Sequence, residues 1–122
     1  MKRLTLLALI SFLAFANVNE AQAQILSTKL KITVVDELGN VVPDAKVTIY
    51  GSEADYNKEV NPVQPFQLTD SKGKVTFKKL DTKSYYVIIR KGDKDNSGGG
   101  EVISTLKKGK VNKANVVITD GV

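Results

Sequence analysis

The sequence has 122 residues, 18 of them Lys or Arg and 13 Asp or Glu, and it contains no Cys, His or Trp. Without His and Cys the chain can form no disulfide, no Ser-His-Asp or Cys-His catalytic arrangement, and no thiolate or imidazole metal site. The net charge of +5 at pH 7 comes from lysines scattered along the chain, whereas nucleic-acid-binding proteins concentrate basic residues in one patch. We therefore expect neither enzymatic activity nor a nucleic-acid partner.

The first segment has the pattern of a secretory signal peptide. Lys2 and Arg3 precede an apolar stretch from Leu4 to Ala16, and Ala21-Gln22-Ala23 has the small-x-small form of a cleavage site. The stretch is shorter than the roughly 20 residues that span a membrane; an uncleaved anchor is the alternative. We predict a signal peptide at 1–23 and one secreted or periplasmic domain at 24–122, with no membrane span in the mature chain.

After this segment, short runs of alternating apolar and polar residues are separated by Gly, Asp and Pro turn signals, a pattern typical of β-strands. We predict about seven strands, at 30–34, 45–50, 66–69, 75–77, 84–91, 101–106 and 111–118. The longest connection, 51–65, is polar, contains Pro62 and Pro65, and is expected to project at one end of the domain. Since no helical period is present, the expected fold is all-β, an antiparallel β-sandwich.

The order of turn and core residues resembles a carboxypeptidase regulatory-like domain, a family grouped with transthyretin-like and collagen-adhesin B-type β-sandwiches. The resemblance extends over residues 29–91. The residues that carry it are Val34-Val35-Asp36, Gly39, Val42-Pro43, Ala45, Val47, Ile49, Thr69-Asp70, Gly73, Val75-Thr76-Phe77, Leu80 and Tyr85. It implies a transthyretin-like, immunoglobulin-like Greek-key fold, and it is nearly silent about a functional site.

The resemblance gives these residues structural roles. Asp36 and Gly39 are expected to build the first turn, and Ala45 is small enough for close packing. Asp70 and Gly73 belong to a tight hairpin in which the glycine can take a positive φ. Tyr85 is expected to place its ring in the core and to hydrogen-bond its hydroxyl at the edge.

Related proteins have activities whose residues can be sought in this chain. Metallocarboxypeptidases carry such a domain beside a zinc-dependent catalytic domain, and transthyretin-like hydrolases of the purine pathway use histidines, which are absent here. Collagen-adhesin B-type domains often form a Lys–Asn isopeptide bond, for which Lys29 or Lys31 and Asn115 could supply the ends. However, Ile89 and Arg90 occupy the place of the acid that promotes this bond, so the resemblance does not imply the cross-link.

One loop contains a candidate calcium site. Asp93, Asp95 and Ser97 place oxygen ligands at alternate positions before a glycine, as calcium loops do, and Glu101 could complete the set. A full EF-hand would need Glu in place of Ser104, together with flanking helices. The alternative is a flexible hairpin loop rich in turn-forming residues. We predict no other cofactor.

Four residues form a candidate interaction face. If alternate residues of the 84–91 strand point inward, then Tyr86, Ile88 and Arg90 point outward, and Tyr50 does so on its own strand. Aromatic residues and Arg are typical of interface cores. The alternative is that aromatic and β-branched residues occur on outer strand faces because they suit strands.

Two functions of different classes are compatible with these patterns. The first is an exported non-catalytic module that binds a protein or glycan at the cell envelope or has a structural accessory role. The second is a small-ligand-binding protein or enzyme on a transthyretin-like fold, which would need charged groups converging in a cleft with perturbed pKa values. The missing His, Cys and Trp favour the first.

Overall fold

The structure is a computed structural model and describes residues 27–97 and 100–120. The predicted signal peptide lies outside the described residues. Within them, no helix is both long and apolar enough to cross a membrane. The elements are β1 (Lys29–Val35), β2 (Lys46–Tyr50), α1 (Glu53–Lys58), β3 (Gln67–Leu68), β4 (Lys74–Phe77), β5 (Tyr85–Lys91), β6 (Lys94–Asp95), β7 (Val102–Ile103) and β8 (Val111–Val117).

The strands form the predicted all-β sandwich, with eight strands in the described residues where about seven were expected. One sheet has the order β4-β1-β8, and the other has the order β3-β2-β5-β6, with β7 also pairing with β5. β1 and β8 run parallel along their whole lengths, while the other strand pairs are antiparallel. The parallel pair was not predicted, because alternation along one strand does not define the direction of its neighbour.

The core lies between the two sheets and is built from alternate residues of the long strands, as the period of two predicts. It includes Leu30 and Ile32 of β1, Phe77 of β4 and Val87 of β5, all fully buried. Tyr85 is also buried, and its hydroxyl donates a hydrogen bond to the carbonyl of Asp81 at 3.0 Å. The expected role of Tyr85 is confirmed.

The hairpin turn between β3 and β4 is fixed by a carboxylate and a glycine. Asp70 Oδ1 accepts backbone N–H groups of Lys72 at 2.8 Å and Lys74 at 3.0 Å, which lower the pKa of this carboxyl group. Gly73 has a φ of +73°, and a Cβ there would lie 2.8 Å from the carbonyl oxygen of Val34. Any other residue would therefore meet both backbone strain and a steric clash.

The long connection after β2 differs from the expectation. It contains α1, a short helix that the sequence analysis did not find, and α1 packs against β2 and β5. The segment therefore lies over the outer face of the five-stranded sheet and does not project at one end of the domain. The predicted 101–106 strand is also shorter, with only Val102–Ile103 paired.

Candidate functional site

The four predicted interaction residues lie together on the outer face of the five-stranded sheet. In the register of β2 and β5, Tyr50 is opposite Tyr86, and Lys46 is opposite Arg90. Cross-strand partners point to the same side of a sheet. Ile88 lies between Tyr86 and Arg90 on this outer side and is half-buried.

The helix α1 begins and ends with defined caps on this face. Ser52 Oγ accepts the N–H of Asp55 at 3.2 Å. Acidic residues occupy the first turn, where their negative charge interacts favourably with the positive end of the helix dipole. The helix ends at Glu59, whose left-handed φ of 55° is unusual for a residue other than glycine. These caps hold Tyr56, in the middle of the helix, over the sheet.

Tyr56 fills the space between the two strand tyrosines. Its ring meets that of Tyr50 edge-on, with centroids 6.2 Å apart, and lies 5.6 Å from that of Tyr86. Only 4% of Tyr50 is exposed. The aromatic part of the predicted interaction face is therefore packed against the chain's own helix, and direct contact of Tyr50 with a partner stays a prediction.

Tyr56 also connects the helix to the loop before β7. Its hydroxyl interacts with the Glu101 carboxylate. Burial, followed by this interaction and the nearby negative charge, raises the pKa of Tyr56 to about 12. Glu101, proposed above as a calcium ligand, thus has a structural partner on the outer face.

An ion pair joins the end of α1 to β5. The Arg90 guanidinium donates to both oxygens of Glu59, at 2.5 and 3.0 Å. This two-pronged bond lowers the pKa of Glu59 and raises that of Arg90. Both side chains are about half exposed, so solvent weakens the attraction, and the pair mainly fixes where the guanidinium points.

A groove of about 300 Å³ runs beside this ion pair. Pro62, Pro65 and Phe66 form one wall, and the sheet residues, including Arg90, form the floor. Lys46 Nζ lies 4.5 Å from the centre of the Phe66 ring, a cation–π contact, yet half of Phe66 remains exposed. We call this feature the Phe66 groove. It combines exposed apolar surface with two cationic groups.

Of the four residues proposed as calcium ligands, Asp95 and Ser97 bond to each other. Asp95 Oδ1 accepts both the N–H and the hydroxyl of Ser97, at 3.0 and 2.6 Å, which lowers the pKa of Asp95. Asp93 is exposed, and Glu101 interacts with Tyr56. Within 27–97 and 100–120, no three acidic residues lie close enough to hold a metal ion together. Calcium binding stays a prediction.

Asn96, inside the same loop, has a role that the sequence analysis missed. It is 3% exposed, and its side-chain amide accepts the N–H of Ile89 and donates to the carbonyls of Val87 and Gly100, each at 2.9 Å. The side chain thus continues the strand pairing of β5 between β6 and β7. The bonds between Asp95 and Ser97, its two neighbours in sequence, form a turn that directs Asn96 toward β5.

The possible isopeptide partners are not opposite one another. In the parallel register of β1 and β8, Asn115 is paired with Thr33, and Lys31 is paired with Lys113. These residues alternate with the buried Ile32, so they lie on the outer side of their sheet. The pair therefore does not lie in the core between the sheets.

The electrostatics of the described residues are those of structural contacts. Each carboxyl group with a resolved shift has a lowered pKa, and each such lysine or arginine has a raised one. The charged forms are therefore favoured. A general acid or base needs the opposite, a pKa moved toward neutrality.

Tyr56 is the main residue of this face that the sequence analysis overlooked. A signal for it was present: Ser52-x-x-Asp55 matches the S/T-x-x-D/E start of a helix. This signal indicates a helix start at Ser52, but it does not indicate where the helix packs.

No protein-family model matches the chain, and no curated protein matches it in sequence. Solved structures do match. The Bacillus anthracis TIE protein has a TM-score of 0.53 and 25% identity, over 76% of this chain and 17% of that one. BcpA, the major pilin subunit of Bacillus cereus, has a TM-score of 0.52 and 13% identity, over 75% of this chain and 28% of that one.

A 3-chlorocatechol 1,2-dioxygenase from Rhodococcus opacus has a TM-score of 0.48 and 11% identity, over 75% of this chain and 58% of that one. That similarity is too weak to support an argument. The first two show a β-sandwich of the kind present in a pilin subunit, without singling out the carboxypeptidase regulatory-like family. This chain spans less than a third of either protein.

Proposed function

We propose that the chain is an exported, non-catalytic β-sandwich module that binds a protein at the cell envelope through the Phe66 groove. The observation that carries this proposal is the groove itself: exposed Phe66 and two prolines beside Arg90, whose direction is fixed by Glu59. An apolar patch with an oriented arginine is typical of protein interfaces. The similarity to a pilin subunit supports a role at the cell surface.

A protein partner fits this surface better than a glycan. Sugar rings stack on exposed aromatic faces, but Tyr50 is buried under Tyr56, and one face of Phe66 carries the Lys46 ammonium group. Leu68, 56% exposed, extends the apolar surface on the same side of the sheet, opposite Lys46. The surface therefore combines apolar side chains with the cationic groups of Lys46 and Arg90.

The alternative, a small-ligand-binding protein or enzyme, has less support. It would require charged groups tuned toward neutral pKa values in a cleft, and the resolved shifts favour the charged forms. The pilin similarity also favours a non-catalytic role.

Site-specific crosslinking in cells that naturally produce the protein tests the proposal. A photoreactive residue in place of Leu68, at the rim of the groove, should yield a covalent adduct with one protein. The matched control is the same residue at Leu38, which is 81% exposed in the turn after β1. The adduct should disappear in a Phe66→Ala background, and the exported chain should begin at Gln24 by mass spectrometry.

Equal adducts at both positions, or an adduct unaffected by Phe66→Ala, would overturn the assignment of the groove. Removal of the adduct by glycan-degrading enzymes would point to a glycan. A chain retained in the cytoplasm would contradict export, whereas the assignment of the groove is tested separately by the crosslinks.

A further inference from the structure

The two edges of the three-stranded sheet differ. At the β4 edge, Gln67 Nε2 donates to the carbonyl of Thr76 at 2.9 Å, and Gln64 Nε2 donates to that of Lys78 at 2.6 Å. These two side chains occupy backbone acceptors that an added strand would need. β8 forms the other edge and, among the described residues, pairs with β1 alone.

The backbone of β8 is available for pairing on its outer side. Lys29 N–H donates to the Lys110 carbonyl at 3.0 Å, and Ile118 N–H donates to that of Val35 at 2.9 Å. In a parallel pair, the even-numbered residues of β8 therefore face β1, and the odd-numbered residues 111–117 direct N–H and C=O groups away from the sheet. No side chain in the described part of the chain bonds these outward groups.

An open groove of about 760 Å³ lies next to this edge, between β8 and the segment 102–107. Its lining includes the core residues Leu30 and Val116 of the three-stranded sheet and Leu106 of the segment after β7. The small side chain of Ala114 is partly exposed there and leaves room between the sheets. An added strand could therefore hydrogen-bond to β8 and place alternate apolar side chains in the groove.

The charge of the groove selects among possible occupants. Lys107, Lys110 and Lys113 line it, and no carboxylate is among the described residues of its lining. A second copy of this edge would bring its own Lys107, Lys110 and Lys113 to the same groove without a carboxylate to pair with them, and like charges on adjacent strands are unfavourable. An extended segment with acidic residues would instead pair with them.

We infer that the β8 edge and its groove bind an extended segment of a partner protein with alternating apolar and acidic residues, which adds to the sheet as a further strand. This site is separate from the Phe66 groove and lies on the other sheet. The partner's backbone pairs with the outward groups of β8, its apolar side chains enter the groove, and its carboxylates meet the lysines.

Binding of two short synthetic peptides, one alternating Val and Glu and the other alternating Val and Lys, tests the inference. The Val–Glu peptide should bind and protect the amide hydrogens of Lys113 and Asn115 from exchange, and the Val–Lys peptide should not bind. The affinity of the Val–Glu peptide should fall with added salt. The double variant Lys110→Glu, Lys113→Glu should bind it roughly tenfold more weakly or worse. The double variant Lys78→Glu, Lys79→Glu, at exposed positions directly after β4, makes the same charge change and should bind nearly as the unmodified chain does.

Four results would overturn the inference. They are absence of Val–Glu binding, equal weakening of peptide binding by the β8 and β4 variants, and protection of β4 amide hydrogens from exchange when the peptide is added. The fourth is a concentration-dependent dimer in which the β8 amide hydrogens are protected without peptide. The last result would assign the edge to a second copy of the chain.

Discussion

The side-chain amide of Asn96 accepts a hydrogen bond from the backbone N–H of Ile89 at 2.9 Å, so a single side chain takes the place of a strand residue at the edge of β5. The same amide donates to the Val87 carbonyl. Because Asn96, Ile89 and Val87 are buried, the edge of β5 depends on a side chain that the sequence pattern assigns to a polar loop.

Substitution of Asn96 should therefore destabilise the fold strongly. Asn96→Ala leaves the Ile89 N–H and the Val87 carbonyl without partners, and we expect a loss of about 3 kcal/mol in the free energy of unfolding. Urea denaturation measures it. Asn57→Ala, at an exposed position of α1, is the control and should change stability by less than about 0.5 kcal/mol. Equal effects of the two substitutions would contradict the role of Asn96.

The two turn glycines permit a matched comparison. Gly39 has a φ of +85° with open space around its missing Cβ, whereas Gly73 combines a φ of +73° with a backbone oxygen 2.8 Å away. Gly39→Ala should cost about 1 kcal/mol for the left-handed conformation alone. Gly73→Ala should cost about 3 kcal/mol, because the clash adds to that term. Similar losses in thermal or urea unfolding would show that the turn relaxes around Gly73.

The end of α1 allows backbone strain to be separated from the ion pair. Glu59→Ala and Glu59→Gly both remove the contact with Arg90, but only glycine takes the left-handed conformation without penalty. The glycine variant should therefore be more stable than the alanine variant by about 1 kcal/mol. An alanine variant as stable as the glycine variant would indicate that the helix ends differently without Glu59.

Acid should weaken the fold through its turn carboxylates. The pKa of Asp70 is lowered in the folded state from its ordinary 3.8 by backbone hydrogen bonds. The unfolded state therefore binds a proton more readily, and this contribution to stability is complete above about pH 4 and is lost as the pH falls through the folded pKa. Denaturation midpoints measured from pH 7 to pH 2 should show a smaller acid loss for Asp70→Asn than for the unmodified chain.

Alkali should act on Tyr56. Its pKa is raised from 10.0 to about 12 in the folded state. The contribution of this shift to the stability of the fold is therefore complete below pH 10 and is lost as the pH rises toward 12. Tyr56→Phe should reduce this alkaline loss, whereas Tyr86→Phe, which leaves the hydroxyl of Tyr56 and its interaction with Glu101 in place, should retain it. Stability measured between pH 8 and pH 12 compares the two variants.

The alternating pattern was sufficient to predict the sandwich, because each long strand has one buried face. Leu30 and Val87 lie in the core on strands predicted in this way, and Tyr85 was placed there through the family resemblance. Positions of short elements were harder to predict: β6 has two residues, too few to show a period. The pairing of β1 with β8 depends on contacts distant in sequence, which no local pattern encodes.

The outer face illustrates the same limit. Alternation correctly placed Tyr86 and Arg90 on one side, but it could not indicate that Tyr56 covers Tyr50. That contact depends on a short helix defined by its caps, without a buried stripe of its own. The open groove beside β8 also arises only when two sheets are assembled, so no local sequence pattern could predict it.

The parallel pairing of β1 and β8 has a mechanical consequence. The chain enters β1 at one end of the sandwich and leaves β8 at the other, about 20 Å away along a seven-residue strand. A force that pulls these two points apart acts along the strands, so all the hydrogen bonds between β1 and β8 resist it together. Strands that are peeled apart break such bonds one after another. The sandwich is therefore arranged to transmit tension along its length.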